Sequence, residues 1–246
     1  MDINPPFGYR EIVPFLKTHK VRLPEVAAQA GFARGLNAIP VSYAEFGVAG
    51  RDYPIVFASG DEGKTFAPVA VLGLVAGENL FIDETGWAGG LYVPAYVRRY
   101  PFCMARVTLD KVEQNDRLIC VEKDFVAADG EPGEALFDEQ QQPLARWGGI
   151  EKLLNEYEAD LERTREMASI LADYGLLEPF SMQATPAGGE PLNLTGMHRV
   201  NEPRLEMLTA DQLRTLLRKG ILARIYAHLI SLDNFGRLLD RRAARA

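Results

Sequence analysis

The sequence contains few of the residues that most often form cross-links or reactive centres. Its 246 residues include two cysteines and three histidines. Cys103 and Cys120 lie in the apolar segments PFCMA and RLICVE, and neither their spacing nor their neighbours match a zinc or redox motif. We therefore expect two buried structural thiols, which are compatible with a reduced cytoplasmic compartment.

The histidines are equally uninformative about catalysis. His19, His198 and His228 are not at metal-ligand spacing, and none lies in an H-E-x-x-H frame, so we expect no metal. His228 and Ser231 could join a distant acid in a triad, but Ser231 lacks the G-x-S-x-G turn that exposes a nucleophile. We interpret His228 as a core histidine that is hydrogen-bonded to the backbone.

Long hydrophobic runs are also missing. The longest uncharged run, Thr65–Gly77, has thirteen residues and is interrupted by Pro68. A membrane-spanning helix needs about 20 apolar residues, so we expect no transmembrane segment. The opening MDINPP has an acid and two prolines where a signal peptide would carry basic and apolar residues, and we therefore expect a cytoplasmic protein.

Positive charge is in the minority. The chain has 34 acidic and 27 basic side chains, a net charge of −7, which repels phosphate backbones at long range. We therefore expect no nucleic-acid partner. The basic C-terminal run is typical of a helix end, where cations offset the dipole; it comprises Arg237, Arg241, Arg242 and Arg245.

The pattern of apolar residues predicts short strands in the first part of the chain. Tyr53–Phe57 and Val69–Leu74 are typical of buried strands, and a turn at Gly77 predicts that Leu80–Ile82 returns as a hairpin partner. Arg117–Val121 and Ala135–Phe137 predict two further strands.

Helices are predicted mainly in the C-terminal part. The expected elements are a short helix over Val93–Tyr100, a long helix from Trp147 to Tyr174, a loop from Pro179 to Pro191, a strand over Leu194–Val200, a helix opened by the capping box Thr209–Gln212, a strand over Ile221–Leu232 whose spacing also allows a helix, and a last helix through Leu239. This order predicts an α+β fold, mainly antiparallel sheet with C-terminal helices, in a single domain over residues 1–246. No G-x-G-x-x-G and no phosphate-binding P-loop occurs, so we expect no cofactor.

One segment combines aromatic rings with guanidinium groups. Arg98 and Arg99 lie among Tyr92, Tyr96 and Tyr100, and such groups can bind a carboxylate or phosphate. The structural alternative is that the arginines pair with Asp83 or Glu84 and stack on a ring.

Trp87 lies in the glycine-rich segment TGWAGG. An exposed tryptophan on such a loop would recognise a ligand, whereas one that folds back would only cover the core. The candidate ligand-binding residues are therefore Trp87, Tyr92, Tyr96, Arg98 and Arg99.

Several of these segments, taken in order, resemble the SapC family. They are Tyr53–Phe57, Val71–Phe81, Trp87, YVPAYVRRYPF over Tyr92–Phe102, Leu136–Asp138, Leu194–Gly196, Arg199–Glu202, Leu205, Leu208 and Ile225–Leu232. The resemblance covers about residues 10 to 240, and the YVPAYVRRYPF stretch is its most specific part. It implies no catalytic residue. It does imply a gram-negative bacterial protein, linked to surface-layer loci or to genes for TonB-dependent receptors and halogenase-like flavoenzymes.

Three hypotheses about function follow. The leading one is a non-enzymatic binding or accessory protein with an unknown protein or small-molecule partner. The second is an enzyme that modifies peptides or aromatic compounds, for which Arg98, His228 and Glu202 would have to converge on one pocket. The third is a component of the surface layer.

Overall fold

The computed structural model describes residues 3–61, 63–109, 112–184 and 192–245. The strands are β1 (Ile12–Pro14), β2 (Lys20–Val21), β3 (Ala38–Pro40), β4 (Ile55–Ala58), β5 (Ala67–Val71), β6 (Ile82–Asp83), β7 (Gly86–Trp87), β8 (Phe102–Leu109), β9 (Val112–Glu122), β10 (Glu134–Ala135), β11 (Leu177–Ala184) and β12 (Leu192–Val200). The helices are α1 (Val26–Gln29), α2 (Phe46–Ala49), α3 (Ala95–Arg98), α4 (Ala145–Asp173), α5 (Ala210–Arg218), α6 (Ile221–Ser231) and α7 (Asn234–Ala243). Short 3₁₀ turns cover Ala30–Gly35, Tyr43–Glu45, Lys123–Phe125 and Glu202–Met207.

Contacts group the chain into two compact units. The first unit comprises residues 1–34, 82–88 and 95–158, and the second comprises residues 35–81, 89–94 and 159–246. Units of this kind can lie within one domain, so the single domain over residues 1–246 stays a prediction.

The first unit contains an antiparallel sheet in the order β1-β9-β8 and two small two-stranded sheets, β2 with β10 and β6 with β7. Its core is an apolar cluster of side chains contributed by the strands, by the two residues after β10 and by the first half of α4. The buried members are Val21, Phe102, Val121, Leu136, Phe137, Trp147 and Leu154. Trp147 stacks on Phe15, with 4.8 Å between ring centres, and so fixes the start of α4 against this sheet.

The second unit contains a five-stranded antiparallel sheet in the order β11-β12-β4-β5-β3. Strand β4 lies in the middle because Ile55, Val56 and Phe57 are all buried, which a central strand with two covered faces requires. The structure confirms the predicted strands over Tyr53–Phe57 and Leu194–Val200. The α+β class with antiparallel sheets and C-terminal helices is confirmed as well.

The predicted strand over Ile221–Leu232 is wrong, because this segment is helix α6. Ile221, Ile225, His228 and Ser231 are buried, and their spacing of three to four residues is that of one helical face. Of the residues that favoured a strand, Ile225 is buried on this face, whereas Tyr226 and Ile230 are 43% and 69% exposed.

Two other predictions also fail. The predicted hairpin forms only one backbone bond among the described residues, from the amide of Leu80 to the carbonyl of Leu72 at 2.8 Å, and β6 pairs with β7 instead. The chain turns tightly after β5 because Gly73 has no side chain, so the backbone carbonyl of Glu78 can approach it closely. The side-chain carboxylate of Glu78 also accepts a hydrogen bond from the amide of Leu74 at 2.9 Å.

The loop predicted from Pro179 to Pro191 begins instead as strand β11. Residues 185–191 of that prediction lie outside the described part. Pro179 is tolerated because β11 is an edge strand of the sheet. Strand β8, which follows Pro101 directly, was not predicted at all.

Candidate functional site

Helix α3 ends at Arg98, and the residue that follows it, Arg99, points in a different direction. The helix follows Pro94 and is succeeded by Pro101, which limits it to a single turn. Successive residues on a helix point about 100° apart, so Arg98 is exposed while Arg99 is buried. The structure therefore separates two side chains that are neighbours in the sequence.

The Arg99 guanidinium is enclosed by three tyrosine rings of the first unit, which we call the tyrosine cage. Its central carbon lies 4.4 Å from the ring centre of Tyr96, 4.8 Å from that of Tyr157 and 5.7 Å from that of Tyr9. Such distances allow a cation–π interaction, which is stronger where water is excluded. Arg99 is 5% exposed, so the interaction is largely shielded from solvent.

A carboxylate supports the buried cation. A terminal nitrogen of Arg99 lies 3.8 Å from Glu158, whose other oxygen contacts Arg117. The Nε atom of Arg99 has no hydrogen-bond partner among the described residues. A buried donor without a partner costs free energy, so this nitrogen is the one unsatisfied polar atom of the Arg99 side chain among the described residues.

Burial dominates the electrostatics of the tyrosine cage. It raises the pKa of Tyr96 to about 12 and also raises the pKa of Tyr9, while the positive charge of Arg99 lowers both by a smaller amount. Burial likewise raises the pKa of the nearby Cys103 thiol to about 12. At neutral pH these groups are therefore uncharged, and the cage holds the charge of Arg99 without competing anions from its own hydroxyls.

Arg99 also forms part of the wall of a cavity of about 140 Å³ within the first unit, which we call the arginine cavity. Its lining consists of Leu23, Pro24, Gln29, Arg98, Arg99, Tyr100, Pro101, Phe102, Arg146, Ile150 and Leu153. Three of these residues are arginines, and no carboxylate lines the cavity among the described residues. In a chain of net charge −7, this is a local concentration of positive charge beside apolar surface.

Two helices hold the walls of the arginine cavity in place. Arg146, Ile150 and Leu153 recur at helical spacing, so they share one face of α4. The side-chain amide of Gln29 donates to the carbonyl oxygens of Arg98 at 2.6 Å and Tyr100 at 2.7 Å. Both bonds fix the backbone that carries the two arginines.

The five predicted site residues do not all meet. Arg98 and Arg99 line the arginine cavity, and Tyr96 belongs to the tyrosine cage. Tyr96 also donates its hydroxyl to the carbonyl of Phe7 at 2.5 Å. Trp87 is half-buried in the β6–β7 hairpin, opposite Ile82, and is not part of the cavity wall.

Tyr92 belongs to the second unit and has a structural role there. Its hydroxyl donates to Glu45 at 2.9 Å, and its amide donates to Asp52 at 2.9 Å. Its own carbonyl accepts the hydroxyl of Tyr53. Every one of these bonds anchors the segment that leads into α3.

The sequence analysis missed Gln29, Arg146, Ile150 and Leu153 as candidate site residues. The signal that could have indicated Arg146 is its spacing from Ile150 and Leu153 on the predicted long helix. That spacing places a cation at the end of an apolar face, but it does not say which segment the face contacts.

His228 acts as a structural residue of the second unit. Its Nε2 accepts the amide of Val200 at 3.0 Å, and its Nδ1 lies 2.7 Å from the carbonyl of Ile55. Burial lowers the pKa of His228 to about 4, so the ring is neutral at physiological pH. Ser231 accepts the amide of Ile55 and donates to the carbonyl of His228. Both side chains therefore stabilise β4. Glu202, which the enzyme hypothesis required beside His228, is exposed.

The two cysteines are structural residues of the first unit. Cys103 and Cys120 are buried free thiols, as predicted, and lie opposite each other in the β8–β9 ladder. Among the described residues no group of three histidine, cysteine or acidic side chains could hold a metal ion.

The C-terminal arginines bind groups of the second unit. Arg245 donates to the carbonyl of Asn79, Arg242 lies 3.5 Å from Glu78, and Arg241 covers the ring of Phe81. No described helix combines the length and the apolar character needed to cross a bilayer.

The fold and the cavity together define an α+β protein built on antiparallel sheets, with a cationic cavity in its first unit. The sequence profile of the SapC family matches residues 17–238, and the chain therefore belongs to the SapC family. The resemblance inferred from the sequence is thus confirmed. Comparison with curated proteins gave no match, and comparison with solved structures gave none either.

Proposed function

We propose that this SapC-family chain is a non-enzymatic accessory protein that binds an anionic ligand or an anionic group of a partner in the arginine cavity. The observation that carries the proposal is the lining of this cavity, which includes Arg98, Arg99 and Arg146 and no carboxylate among the described residues. Guanidinium groups bind carboxylates and phosphates through paired donors. Catalysis is not part of the proposal, because both ring nitrogens of His228 are engaged by the backbone.

The other two arginines support an exchangeable anion site. Arg98 is exposed at the cavity, and Arg146 pairs with Glu134 at 2.9 Å on the surface. Both members of that pair are about half exposed, and such pairs contribute little stability. Arg146 can therefore exchange Glu134 for a ligand at small cost, while Arg99 stays fixed in the tyrosine cage.

The proposed role lies in the cytoplasm of a gram-negative bacterium and is linked to surface-layer or TonB-dependent-receptor loci. What supports this location is the apolar setting of Cys103 and Cys120, which lie opposite each other on the adjacent strands β8 and β9 and are compatible with a reduced compartment. Cell fractionation tests this part, and recovery of the protein only outside the cytoplasm would contradict it.

Thermal unfolding tests the binding site. Sodium phosphate, sodium benzoate or a short poly-glutamate peptide is added at constant ionic strength, and at least one should raise the Tm of the wild-type protein. Binding to the folded state alone stabilises it by about 2.7 kcal/mol at a ligand concentration of 100 times Kd. The variant Arg98→Ala should lose most of this shift and keep its unliganded Tm, because Arg98 is exposed.

The matched control is Arg22→Ala. Arg22 is an exposed arginine of the same unit, paired with Glu131 at 2.6 Å, and it does not line the cavity. It should show the wild-type shift. The proposal fails if no anion stabilises the wild-type protein, or if Arg98→Ala and Arg22→Ala respond alike.

A further inference from the structure

The second unit exposes its large apolar side chains in one segment of the sequence. Among the described residues of this unit, the exposed large apolar residues all lie between residues 207 and 230, and they are Met207, Leu213, Leu217, Tyr226 and Ile230. Leu217 is 65% exposed, and Ile230 is the outermost apolar residue of α6. Scattered apolar residues on a surface are common, whereas a group of them in one segment indicates an interaction surface.

Helix α5 carries an apolar stripe beside a cationic stripe. Leu213 and Leu217 are four residues apart and share one face of the helix. Arg214 and Arg218 each follow one of these leucines, so they share a face about 100° further round. All four side chains are exposed, whereas Leu216 is buried and attaches the helix to the unit. Both stripes therefore face solvent.

Helix α6 is apolar on its outer face as well. Tyr226 and Ile230 are four residues apart and exposed, and the one charged residue of this helix, Arg224, covers the ring of Tyr43 at 4.0 Å. A helix that is apolar on nearly all sides is normally covered. Helix α6 follows α5 after two residues and packs against it, and we call the pair the α5–α6 hairpin.

The charge of this segment is opposite to that of the whole chain. Residues 207–245 contain eight basic and three acidic side chains, a net charge of +5 in a chain of −7. Arg214 lies 3.0 Å from Asp211, but both members of that pair are well exposed, so the pair contributes little and is readily exchanged. The arginines of α7 bind groups of the unit itself, yet their charge still adds to the local potential. The segment therefore attracts an anionic surface although the whole chain is acidic.

The arrangement of charge decides between two ways of covering the α5–α6 hairpin. In a symmetric dimer the same patch meets itself, which would bring the arginines of α5 close to their own copies, and such juxtaposition of like charges is unfavourable. An anionic bilayer offers acyl chains to the apolar stripe and phosphates to the cations at its boundary.

From these observations we infer that the α5–α6 hairpin binds the surface of an anionic phospholipid bilayer, with its apolar stripes in the headgroup boundary and without crossing the bilayer. The inference goes beyond the proposed function. It does not depend on the arginine cavity, because that cavity belongs to the first unit and the hairpin to the second.

Co-sedimentation of the full chain with large unilamellar vesicles tests the inference. Vesicles with about one third phosphatidylglycerol in phosphatidylcholine should bind the protein at least about tenfold more tightly than vesicles of phosphatidylcholine alone. Raising the salt from about 0.05 M to about 0.5 M should weaken this binding, because it shortens the reach of the charges. No binding to the anionic vesicles, or equal binding to both kinds, would overturn the inference.

Variants at exposed positions separate the two stripes. Leu217→Asn and Ile230→Asn should each weaken vesicle binding at least about threefold by removing apolar contact. The double variant Arg214→Ala/Arg218→Ala should weaken it at least about tenfold. The matched controls belong to the first unit: Leu16→Asn replaces another exposed leucine and Arg22→Ala another exposed arginine, and both should bind like the wild-type protein. Circular dichroism checks folding, and equal binding by folded Leu217→Asn and Leu16→Asn would refute the assigned surface.

The same experiments identify the other occupants. If light scattering shows a dimer that Leu217→Asn dissociates, and no vesicles bind, the α5–α6 hairpin joins two copies and the bilayer is refuted. If anions stabilise the protein in an Arg98-dependent way and no vesicles bind, the proposed function stands and this inference fails. Vesicle binding that depends on Leu217 and Arg218 supports the inference whether or not the arginine cavity binds an anion.

Discussion

The Arg99 guanidinium lies 4.4 Å from the centre of the Tyr96 ring, and Arg99, which directly follows α3, is three positions after Tyr96 in the chain. Residues at this spacing share one helical face. The pair thus forms from local geometry alone, and Tyr157 and Tyr9 complete the enclosure from distant parts of the chain. The tyrosine cage therefore combines one contact between residues close in the sequence with two contacts that depend on the tertiary fold.

Replacing Arg99 should reveal how much of its role is charge and how much is shape. Arg99→Met removes the buried cation from the three tyrosine rings and from the half-buried Glu158, and we expect the free energy of unfolding to fall by about 3 kcal/mol. Arg99→Lys keeps the charge but loses the flat face that stacks on the rings, and we expect a loss of about 1–2 kcal/mol. Urea unfolding measures both values.

The control for this pair is Arg22→Met, which removes an exposed cation and should cost less than about 1 kcal/mol. Arg22 and Glu131 are each about half exposed. An equal loss for Arg99→Lys and Arg99→Met would contradict the prediction, because retaining the charge would then have no value.

Tyr96 should tolerate the loss of its hydroxyl better than the loss of its ring. Tyr96→Phe removes the hydrogen bond to the carbonyl of Phe7, which costs about 1 kcal/mol, and keeps a π face beside Arg99. Tyr96→Leu also removes that face, so we expect a further loss of about 1–2 kcal/mol. Chemical denaturation of the two variants measures the difference, and equal stabilities would show that the ring does not interact with Arg99.

The sequence correctly predicted those elements that depend only on residues close together in the chain. The capping box at Thr209 and Gln212 forms as expected, and Gly175, with φ of +64°, follows the end of α4. The middle strand β4 is recognisable because all its central residues are apolar. Each of these features is determined by residues within one or two turns.

The failures share a different cause, which is tertiary context. Pro179 indicated a loop, yet it lies on an edge strand, where no donor is needed. Tyr226 and Ile230 favoured a strand, but the segment is a helix whose buried face is the one that carries Ile221 and His228. Arg98 could be proposed from its neighbours, whereas Arg146 comes to the same cavity only through the fold, and no local pattern indicates that meeting.

The buried thiols should be unreactive in the folded protein. Burial raises the pKa of Cys103 to about 12 and that of Cys120 to about 11, so almost no thiolate is present at pH 8. We expect reaction with Ellman's reagent to be at least about 100-fold slower in buffer than in 8 M urea, where both thiols should react. Cys103→Ser and Cys120→Ser should each leave one thiol in urea. Rapid labelling of the folded wild-type protein would contradict the burial of this pair.

His228 should make the folded state sensitive to acid. Burial lowers the pKa of His228 from 6.5 to about 4, so between these pH values the unfolded chain binds a proton that the folded chain does not. Its contribution to stability is present above pH 6.5 and is lost as the pH falls toward 4. The shift corresponds to about 3 kcal/mol.

The measurement compares urea unfolding at pH 7.5 and pH 4.5 for the wild-type protein and for His228→Gln. The variant loses the titrating ring, so its stability should fall by about 2–3 kcal/mol less between the two pH values than that of the wild-type protein. Its stability at pH 7.5 will itself be lower, because an amide replaces the ring that bridges Ile55 and Val200. The matched control is His19→Gln, whose half-buried ring accepts the amide of Leu16, three residues away. If His228→Gln and His19→Gln show the same acid sensitivity, the buried imidazole is not the group that destabilises the fold in acid.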